Sequence, residues 1–461
     1  MVPTLEAEAE PQTAAPSQSG FRWPVVVVGA AFLATASWLA IAVGRYSVNI
    51  LFWDQWDFYT PLFQNASLWQ IYNWQHGLHR EGIGLALDKF VLEATRWNSR
   101  AEALFMVAAL VVAAVVALRL KQRLFGGLHY KDLDYSDVAI PCLFLTCAQM
   151  EALIGAPNPS CSAIPELLLG FYCLAWMLPQ PRTRYATVLA LNFLLIYSGY
   201  FLFMGVVTIA VLLLDLRRAF RAESGLPVFP AVALLLATAS LGGFFYHYGW
   251  APNVPCFHFP DAHPLNYGWF IGLMMSYFLG LRTVGLASVV GSLLALLALA
   301  VLIWHGLRLW RNREWSAPDL TIVILLSFSL LFAANAAVGR VCQGLPEAAQ
   351  FSRYMAFLVP AYLAIYFHLL TWRRSAFRGV LLGVFVIALV PGTVLMPNGY
   401  SPQLVRDGKQ AWKTCILQTG KIDYCDRVTG FPIYPDPKRT QLLEKLQFLQ
   451  KNRLNLYSGD R

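Results

Sequence analysis

Two aspartates follow the first long apolar run of the chain. Asp54 and Asp57 lie three residues apart in W-D-Q-W-D-F-Y-T-P, so on a helix they would share one face. A carboxylate that aromatic rings partly shield from water is well placed to accept a proton as a general base. We therefore predict Asp54 and Asp57 as the catalytic candidates, with one of them as the base. The alternative is a helix cap inside an ordinary belt of interfacial aromatic residues.

A second group of ionisable residues lies in W-Q-H-G-L-H-R-E-G. Arginine can bind a phosphate bidentately, and a histidine beside it can donate a hydrogen bond or a proton. We predict that Arg80 and His79 bind the phosphate of a substrate and that His76 and Glu81 contact the rest of it. The two histidines and Glu81 could instead bind a divalent metal, but this spacing alone is weak evidence and we assign no metal ligand. The simplest alternative is a solvated turn in which Arg80 pairs with Glu81.

The composition indicates what kind of frame must position these groups. Of the 461 residues, 57% are hydrophobic, 14% aromatic and 13% charged, and the mean hydropathy is +0.51. A soluble fold cannot bury this much apolar side chain, so we predict an all-α polytopic membrane protein. The net charge of +9 comes from short Lys and Arg clusters between apolar runs, which is the topology signal of a membrane protein and not a nucleic-acid-binding stripe.

Apolar runs long enough to cross a bilayer, about 20 residues each, recur along the chain. We predict about 11 transmembrane helices, although only Ser198, Gly199 and Tyr200 interrupt the pair at 186–216. Residues 266–281 form a further amphipathic or re-entrant candidate that is too short to count. The predicted spans lie near residues 23–44, 101–119, 137–155, 163–180, 186–200, 201–216, 227–248, 284–307, 319–337, 355–372 and 379–397.

Basic clusters fall in every second connection between these runs, which places those connections in the cytoplasm. The N-terminus is therefore predicted to be cytoplasmic and the C-terminus extracytoplasmic, in a plasma (inner) membrane. Residues 45–100 are the long first extracytoplasmic loop, and the connections 249–268 and 338–354 lie on the same side. The predicted domains are a disordered cytoplasmic tail at 1–22, a transmembrane domain at 23–397 and a small extracytoplasmic tail at 398–461.

Three further candidates lie in or beside the later spans. Glu151, in Q-M-E near the outer end of the third span, needs a partner or a role if it is buried, and a carboxylate at the water interface is the alternative. Arg340 and Arg353 are basic residues on the predicted outer side, against the charge rule, and an anionic lipid head group would explain them. We predict that these arginines bind the phosphate of such a head group and that Glu151 and Tyr354 contact substrate. Pairing of Arg353 with Glu347 is the alternative.

The cysteines divide by position. Cys415 and Cys425 lie close together in the predicted outer tail, where an oxidising compartment favours a disulfide. Cys142, Cys147 and Cys173 lie within predicted spans, so we predict that they pack as small apolar residues.

These motifs resemble those of a known superfamily. The predicted cytoplasmic tail, first span and long outer loop resemble those of the GT-C glycosyltransferases, which use polyprenyl-phosphate sugars. The motifs F-W-D-Q-W-D, H-G-L-H-R-E, Q-M-E and S-R-Y are similar to those of a bacterial group within that superfamily. The resemblance covers most of the chain. It implies that a loop carboxylate, best matched by Asp54, is the base and that basic residues of outer loops bind the lipid phosphate. Ala152, where the narrower group has Asn, and Gly77-Leu78 depart from the pattern and bear on substrate identity.

The resemblance implies inverting transfer of a sugar from a polyprenyl-phosphate donor to a glycan or lipid acceptor of the cell envelope, at the outer face of the membrane. The expected partners are that donor, that acceptor and the lipid bilayer, without nucleic acid. A polymerase or ligase of lipid-diphosphate-linked glycans is an enzymatic alternative. A lipid or sugar translocator and a non-catalytic assembly subunit are the non-enzymatic ones; a translocator would spread polar residues through several spans.

Overall fold

A computed structural model of the chain describes residues 22–126, 132–221, 227–250, 255–312, 315–397 and 401–459. The described residues are mostly helical, and their one sheet is a hairpin of two short strands. The prediction of an all-α polytopic membrane protein is confirmed at this level. The predicted disordered tail at 1–22 lies, apart from Arg22, outside the described residues.

Eight helices of the described chain are long and apolar enough to cross a membrane. Each overlaps one of the predicted spans. They are Trp23–Tyr46, Ser99–Phe125, Tyr200–Arg221, Val228–Phe245, Val284–Arg311, Ala317–Gln343, Ser352–Thr371 and Ala376–Val394.

The other three predicted spans contain shorter elements, so the count of about 11 is not confirmed. Residues 163–180 and 186–200 correspond to the helices Ala163–Ala175 and Pro181–Ile196. Within 137–155 the helix Ala139–Phe144 ends early, and a 3₁₀ turn and the π turn Glu151–Gly155 follow it. Polar side chains take over the backbone bonding here: Gln149 donates to the carbonyl of Phe144 at 2.8 Å, and the Thr146 hydroxyl accepts from the backbone of Ala148 at 3.1 Å.

The amphipathic or re-entrant candidate at 266–281 forms the helix Leu265–Phe278. It packs closely against the long helix Val284–Arg311, where Trp269 donates to Ser288 at 2.7 Å and Gly272 meets Gly291. A Cβ on Gly291 would lie 1.8 Å from the carbonyl oxygen of Gly272, so only glycine allows this approach.

A layer of short helices covers one end of the bundle, and we call residues 47–98 and 401–459 the loop-and-tail layer. It has its own apolar core, in which Trp56, Tyr59 and Trp97 of the first loop pack with Trp412 and Leu446 of the tail. Its elements are the helices Gln55–Phe58, Thr60–Phe63, Leu68–Tyr72, Gly82–Ala94, Pro402–Thr419, Ile422–Thr429 and Leu442–Asn452, and the strands Gln75–His76 and His79–Arg80.

Contacts bring the four segments predicted to be extracytoplasmic to this one end. Gln75 of the first loop accepts a hydrogen bond from the backbone of Gly249 at 2.9 Å. A disulfide between Cys256 and Cys342, which the sequence analysis did not predict, joins the connections 249–268 and 338–354. Tyr434 of the tail donates to Asp57 of the first loop. The four segments therefore form one surface.

The predicted disulfide between Cys415 and Cys425 is present, with 5.6 Å between the two Cα atoms. Replacing both residues by Ser is expected to lower the free energy of unfolding of the tail by about 2–3 kcal/mol, because the reduced chain regains loop entropy when it unfolds. Denaturant titration followed by tryptophan fluorescence measures this, with Cys173→Ser, a buried free cysteine of the bundle, as the control. Equal midpoints for the double variant and the wild type would contradict the expectation.

Candidate functional site

The turn that carries Asp54 and Asp57 is a single helical turn, Gln55–Phe58, with Asp54 at its N-cap. The preceding residue, Trp53, has a φ of 53°, a left-handed conformation that costs a bulky side chain on the order of 1–3 kcal/mol. Such a conformation persists only when neighbouring groups impose it. Here the backbone of Trp53 donates to the carbonyl of Ile433 in the tail at 2.9 Å, and Trp56 is fully buried.

Gln55 and Lys445 hold this turn from two sides. The Gln55 side chain accepts from the backbone of Phe52 at 3.0 Å and donates to the Glu102 carboxyl at 3.0 Å. Lys445 of the tail donates to the carbonyl of Trp56 and, at 2.9 Å, to the Thr60 hydroxyl. Both fixing side chains are buried, so the two aspartates stand on a rigid support.

Behind the turn lies a buried network of two carboxyls. The hydroxyl of Tyr59 lies 2.5 Å from Asp88 and 2.6 Å from Glu102. A tyrosine hydroxyl has one proton to donate, so one of the two carboxyls must itself be protonated to complete both contacts. Burial raises the pKa of Asp88 to about 7, in agreement with that requirement.

Lys409 completes the support from the tail. Its ammonium donates to the carbonyls of Ile154 at 2.8 Å and Gly155 at 2.6 Å, at the end of the π turn. Burial lowers the pKa of Lys409 to about 7, although the nearby Glu102 opposes the change. The sequence analysis missed both Lys409 and Glu102, because residues so far apart in sequence give no local signal of contact.

Asp54 and Asp57 open onto a cavity of about 400 Å³. The Asp54 carboxylate accepts no hydrogen bond from any described residue, whereas Asp57 accepts one from the Tyr434 hydroxyl. Asp54 is thus the freer proton acceptor of the two. The tail contributes Tyr434 and the exposed Arg439, which the sequence analysis also missed. The remaining lining residues are Thr60, Trp74, Gln75, His76 and Gly77.

The Q-M-E and S-R-Y motifs meet beside this cavity. Arg353 lies 3.6 Å from the Glu151 carboxylate, and its backbone N–H donates to the same carboxylate at 3.2 Å. The Ser352 hydroxyl accepts from the backbone of Glu151 at 3.2 Å. Arg353 therefore pairs with Glu151 and not with Glu347, and its side chain remains 40% exposed.

Asp54 is close enough to this pair for its charge to act on both Glu151 and Arg353. Tyr354 is buried, within the electrostatic reach of Arg353 and Arg340. Glu151 and Arg353, predicted on separate segments, are thus brought together near Asp54. Arg340 makes no side-chain hydrogen bond or ion pair with any residue that the structure describes, so it is free to bind an anion.

Arg80 has a different environment from the one predicted. Its guanidinium donates to the backbone carbonyls of Phe244 at 3.0 Å, Asn73 at 2.5 Å and Tyr246 at 2.9 Å. Only 2% of the residue is exposed, and its guanidinium stacks on the Phe244 ring. Because each of its three nitrogens donates to a carbonyl, Arg80 fastens the hairpin to the helix Val228–Phe245. It is not placed to bind a substrate phosphate, and it does not pair with Glu81.

His76, His79 and Glu81 cluster where the hairpin meets the segment 158–161. Glu81 lies 3.2 Å from His79 and 3.8 Å from His76, and accepts from Asn158 at 3.0 Å. Burial alone would raise the pKa of the Glu81 carboxyl, but these three neighbours lower it. Burial opposes a charge on His79, yet the adjacent Cys161 and Glu81 raise the pKa of His79 well above its usual value.

Close packing fixes this cluster. A Cβ on Gly84 would lie 2.4 Å from the backbone of Ser160, so a glycine at this position lets the helix Gly82–Ala94 lie directly against Ser160. His76 faces the cavity of Asp54 and Asp57, while His79 and Glu81 lie buried behind its wall.

Comparison of the chain with protein-family models, curated proteins and solved structures gives no match, so the site's own geometry carries the functional argument.

Proposed function

We propose that the protein is a membrane-bound glycosyltransferase that moves a sugar, with inversion, from a polyprenyl-phosphate donor to a glycan or lipid acceptor of the cell envelope. The observation that carries the proposal is the Asp54 carboxylate, which accepts no hydrogen bond from any described residue. It stands on a rigidly held turn, faces a cavity of about 400 Å³ and lies near the partly exposed Arg353. This arrangement supplies a base and a cation in one place.

The reaction assigns a task to each of these groups. Asp54 takes the proton of the acceptor hydroxyl, whose oxygen then attacks the anomeric carbon opposite the phosphate. The bond from that carbon to the phosphate oxygen breaks, and the departing phosphate takes the electron pair. Arg353 and Arg340 stabilise the developing negative charge. Arg340 takes the place predicted for Arg80, because Arg80 is occupied by backbone carbonyls.

The proposal includes a topology of eleven crossings. At one end of the stretch 135–155, Asp137 pairs with Lys121 at 2.8 Å. At the other end, Glu151 pairs with Arg353. Together with the helices Ala163–Ala175 and Pro181–Ile196, this stretch would add three crossings to the eight long helices. The loop-and-tail layer would then face the outside of a plasma membrane, with the N-terminus in the cytoplasm.

Cysteine labelling in intact cells tests this orientation. Asn65→Cys and Lys451→Cys, at exposed positions of the loop-and-tail layer, are expected to react with a membrane-impermeant maleimide. Arg373→Cys, exposed at the opposite end of the bundle, should react only after the membrane is permeabilised. Protection of the first two sites in intact cells, with labelling of the third, would reverse the orientation and remove the active site from the outer face.

The activity is tested by comparing envelope lipids and glycans of cells that carry the wild type or Asp54→Asn. The variant is expected to lack one hexose or pentose in a glycan or lipid product and to accumulate the unmodified acceptor. Asp423→Asn, an exposed aspartate of the tail, serves as the matched control and should leave the product unchanged. Identical products in all three strains would contradict the proposal. A changed distribution of an unmodified lipid between the two leaflets would favour the translocator instead.

A further inference from the structure

The hairpin beside the cavity places two imidazoles side by side. His76 and His79 are a directly opposed pair in the antiparallel strands Gln75–His76 and His79–Arg80, and only Gly77 and Leu78 connect them. Gly77 has a φ of 57°, as the first central residue of a tight II′ hairpin turn requires. Because opposed residues of an antiparallel pair project from the same face of the ribbon, the two rings converge. Their centroids are 5.7 Å apart.

A buried carboxylate completes this group. Ligand atoms of His76, His79 and Glu81 all lie within 4.8 Å of one another. Glu81 is fully buried, and its Oε1 lies 3.2 Å from His79 Nε2. A buried carboxylate is costly unless a cation meets it, and a metal ion between Glu81 and the two imidazoles would meet this need in place of a protonated His79. The other oxygen of Glu81 accepts from Asn158 at 3.0 Å, which fixes the direction of the carboxylate.

The two separations that involve Glu81 are close to those of ligands around one tetrahedral metal ion. Metal–nitrogen and metal–oxygen bonds to zinc are about 2.0–2.2 Å, so two such atoms on one ion lie about 3.3–3.6 Å apart. Glu81 Oε1 lies 3.2 Å from His79 and 3.8 Å from His76. Cys161 Sγ is 3.5 Å from His79 Nε2, close to the separation of about 3.6 Å expected for a sulphur and a nitrogen on one zinc.

We propose that His76, His79 and Glu81 bind a divalent transition-metal ion of the zinc class. Two imidazoles and a carboxylate beside a thiol favour such an ion over Mg²⁺ or Ca²⁺, which take mainly oxygen ligands. Cys161, whose Sγ lies 3.5 Å from His79 Nε2, or a water would take the fourth position. Since His76 also lines the cavity of Asp54 and Asp57, the metal fixes the wall of that cavity. The site stands independently of the glycosyltransferase proposal.

Metal titration of the full-length protein in detergent, freed of any histidine tag and stripped with chelator, tests the site. Zn²⁺ is expected to bind at one ion per chain and to raise the melting temperature, and Co²⁺ to give the visible absorption of a tetrahedral site. A sulphur-to-cobalt charge-transfer band that disappears in Cys161→Ser would place the thiolate in the fourth position. Tetrahedral Co²⁺ absorption without that band would place a water there, with the three proposed ligands unchanged.

His76→Ala and Glu81→Gln are the variants that test whether these side chains bind the metal. Each is expected to lower the affinity for Zn²⁺ by at least about 100-fold. Loss of a residue that only hydrogen-bonds to a metal ligand costs about 10–100-fold, so a larger loss marks a ligand itself. His76 is partly exposed, so its replacement by Ala should not disturb folding. Glu81→Gln keeps the shape of the side chain and its contact with Asn158. Both variants should therefore remain monodisperse. His263→Ala, an exposed histidine elsewhere in the described chain, is the matched control. Unchanged Zn²⁺ affinity in the two folded variants, or no binding by the wild type, would overturn the site.

Discussion

Asp54→Asn is expected to lower single-turnover sugar transfer by about 10²- to 10⁴-fold, the usual cost of losing a general base. The change removes the proton acceptor and leaves the shape of the turn, since no hydrogen bond from a described residue depends on the Asp54 carboxylate. Donor affinity should therefore stay close to that of the wild type. The measurement uses purified protein in nanodiscs with a polyprenyl-phosphate sugar, and it determines donor binding and transfer rate separately.

Asp57→Asn is the matched comparison. Asp57 accepts a hydrogen bond from Tyr434 and is within the electrostatic reach of Lys445, so its loss should loosen the contact with the tail more than it affects proton transfer. A smaller loss of rate is expected, with a lower melting temperature. If Asp57→Asn abolished transfer while Asp54→Asn retained it, the base would be Asp57. If both variants kept full activity, the glycosyltransferase proposal would fail.

Arg353→Ala is expected to weaken donor binding as well as turnover. A hydrogen bond to a charged group contributes about 1.5–3 kcal/mol, which corresponds to a roughly 10- to 150-fold loss of affinity. The contact with the phosphate exists in the bound donor and strengthens as the phosphate departs, so the loss of rate should exceed the loss of affinity. This pattern differs in kind from that of Asp54→Asn, which affects the rate alone.

A direct structural effect must be separated from this result. Removing Arg353 leaves the carboxylate of Glu151 buried without its ion-pair partner, so we expect Arg353→Ala to be less stable as well. The double variant Arg353→Ala with Glu151→Gln removes that charge and should recover stability without recovering donor affinity. Arg427→Ala, an exposed arginine of the tail, is the control. Recovery of donor binding in the double variant would show that Arg353 acts only through Glu151.

The parts of the site that the sequence predicted are those encoded locally. The spacing of Asp54 and Asp57 places both at one cavity, and the spacing of Cys415 and Cys425 allows their disulfide. Long apolar helices were also predictable, because their hydropathy is a property of one continuous segment. The helix breaks around Thr146 and Gln149 were not predictable, because they depend on which backbone groups these two polar side chains hydrogen-bond.

Contacts between distant segments had no signal in a single sequence. The disulfide from Cys256 to Cys342, the support from Lys409 and the placement of Arg439 at the cavity all depend on the tertiary fold.

For Arg80 the local sequence suggested a role that the tertiary structure does not support. Its neighbours in sequence favour phosphate binding, but the carbonyls that occupy it come chiefly from residues more than 150 positions away, at the end of the helix Val228–Phe245.

The support of the first loop by the tail sets an order of events during biosynthesis. Lys445 bonds to Thr60 across 385 positions of sequence. At a synthesis rate of about 5–20 residues per second, the loop waits roughly 20–80 s for that partner. Until then the left-handed turn at Trp53 has none of its bonds to the tail, and Trp56 and Tyr59 lack much of their apolar cover. A nascent chain therefore acquires this centre only after the residues around Lys445 have been synthesised, so that synthesis of the tail acts as the checkpoint for competence.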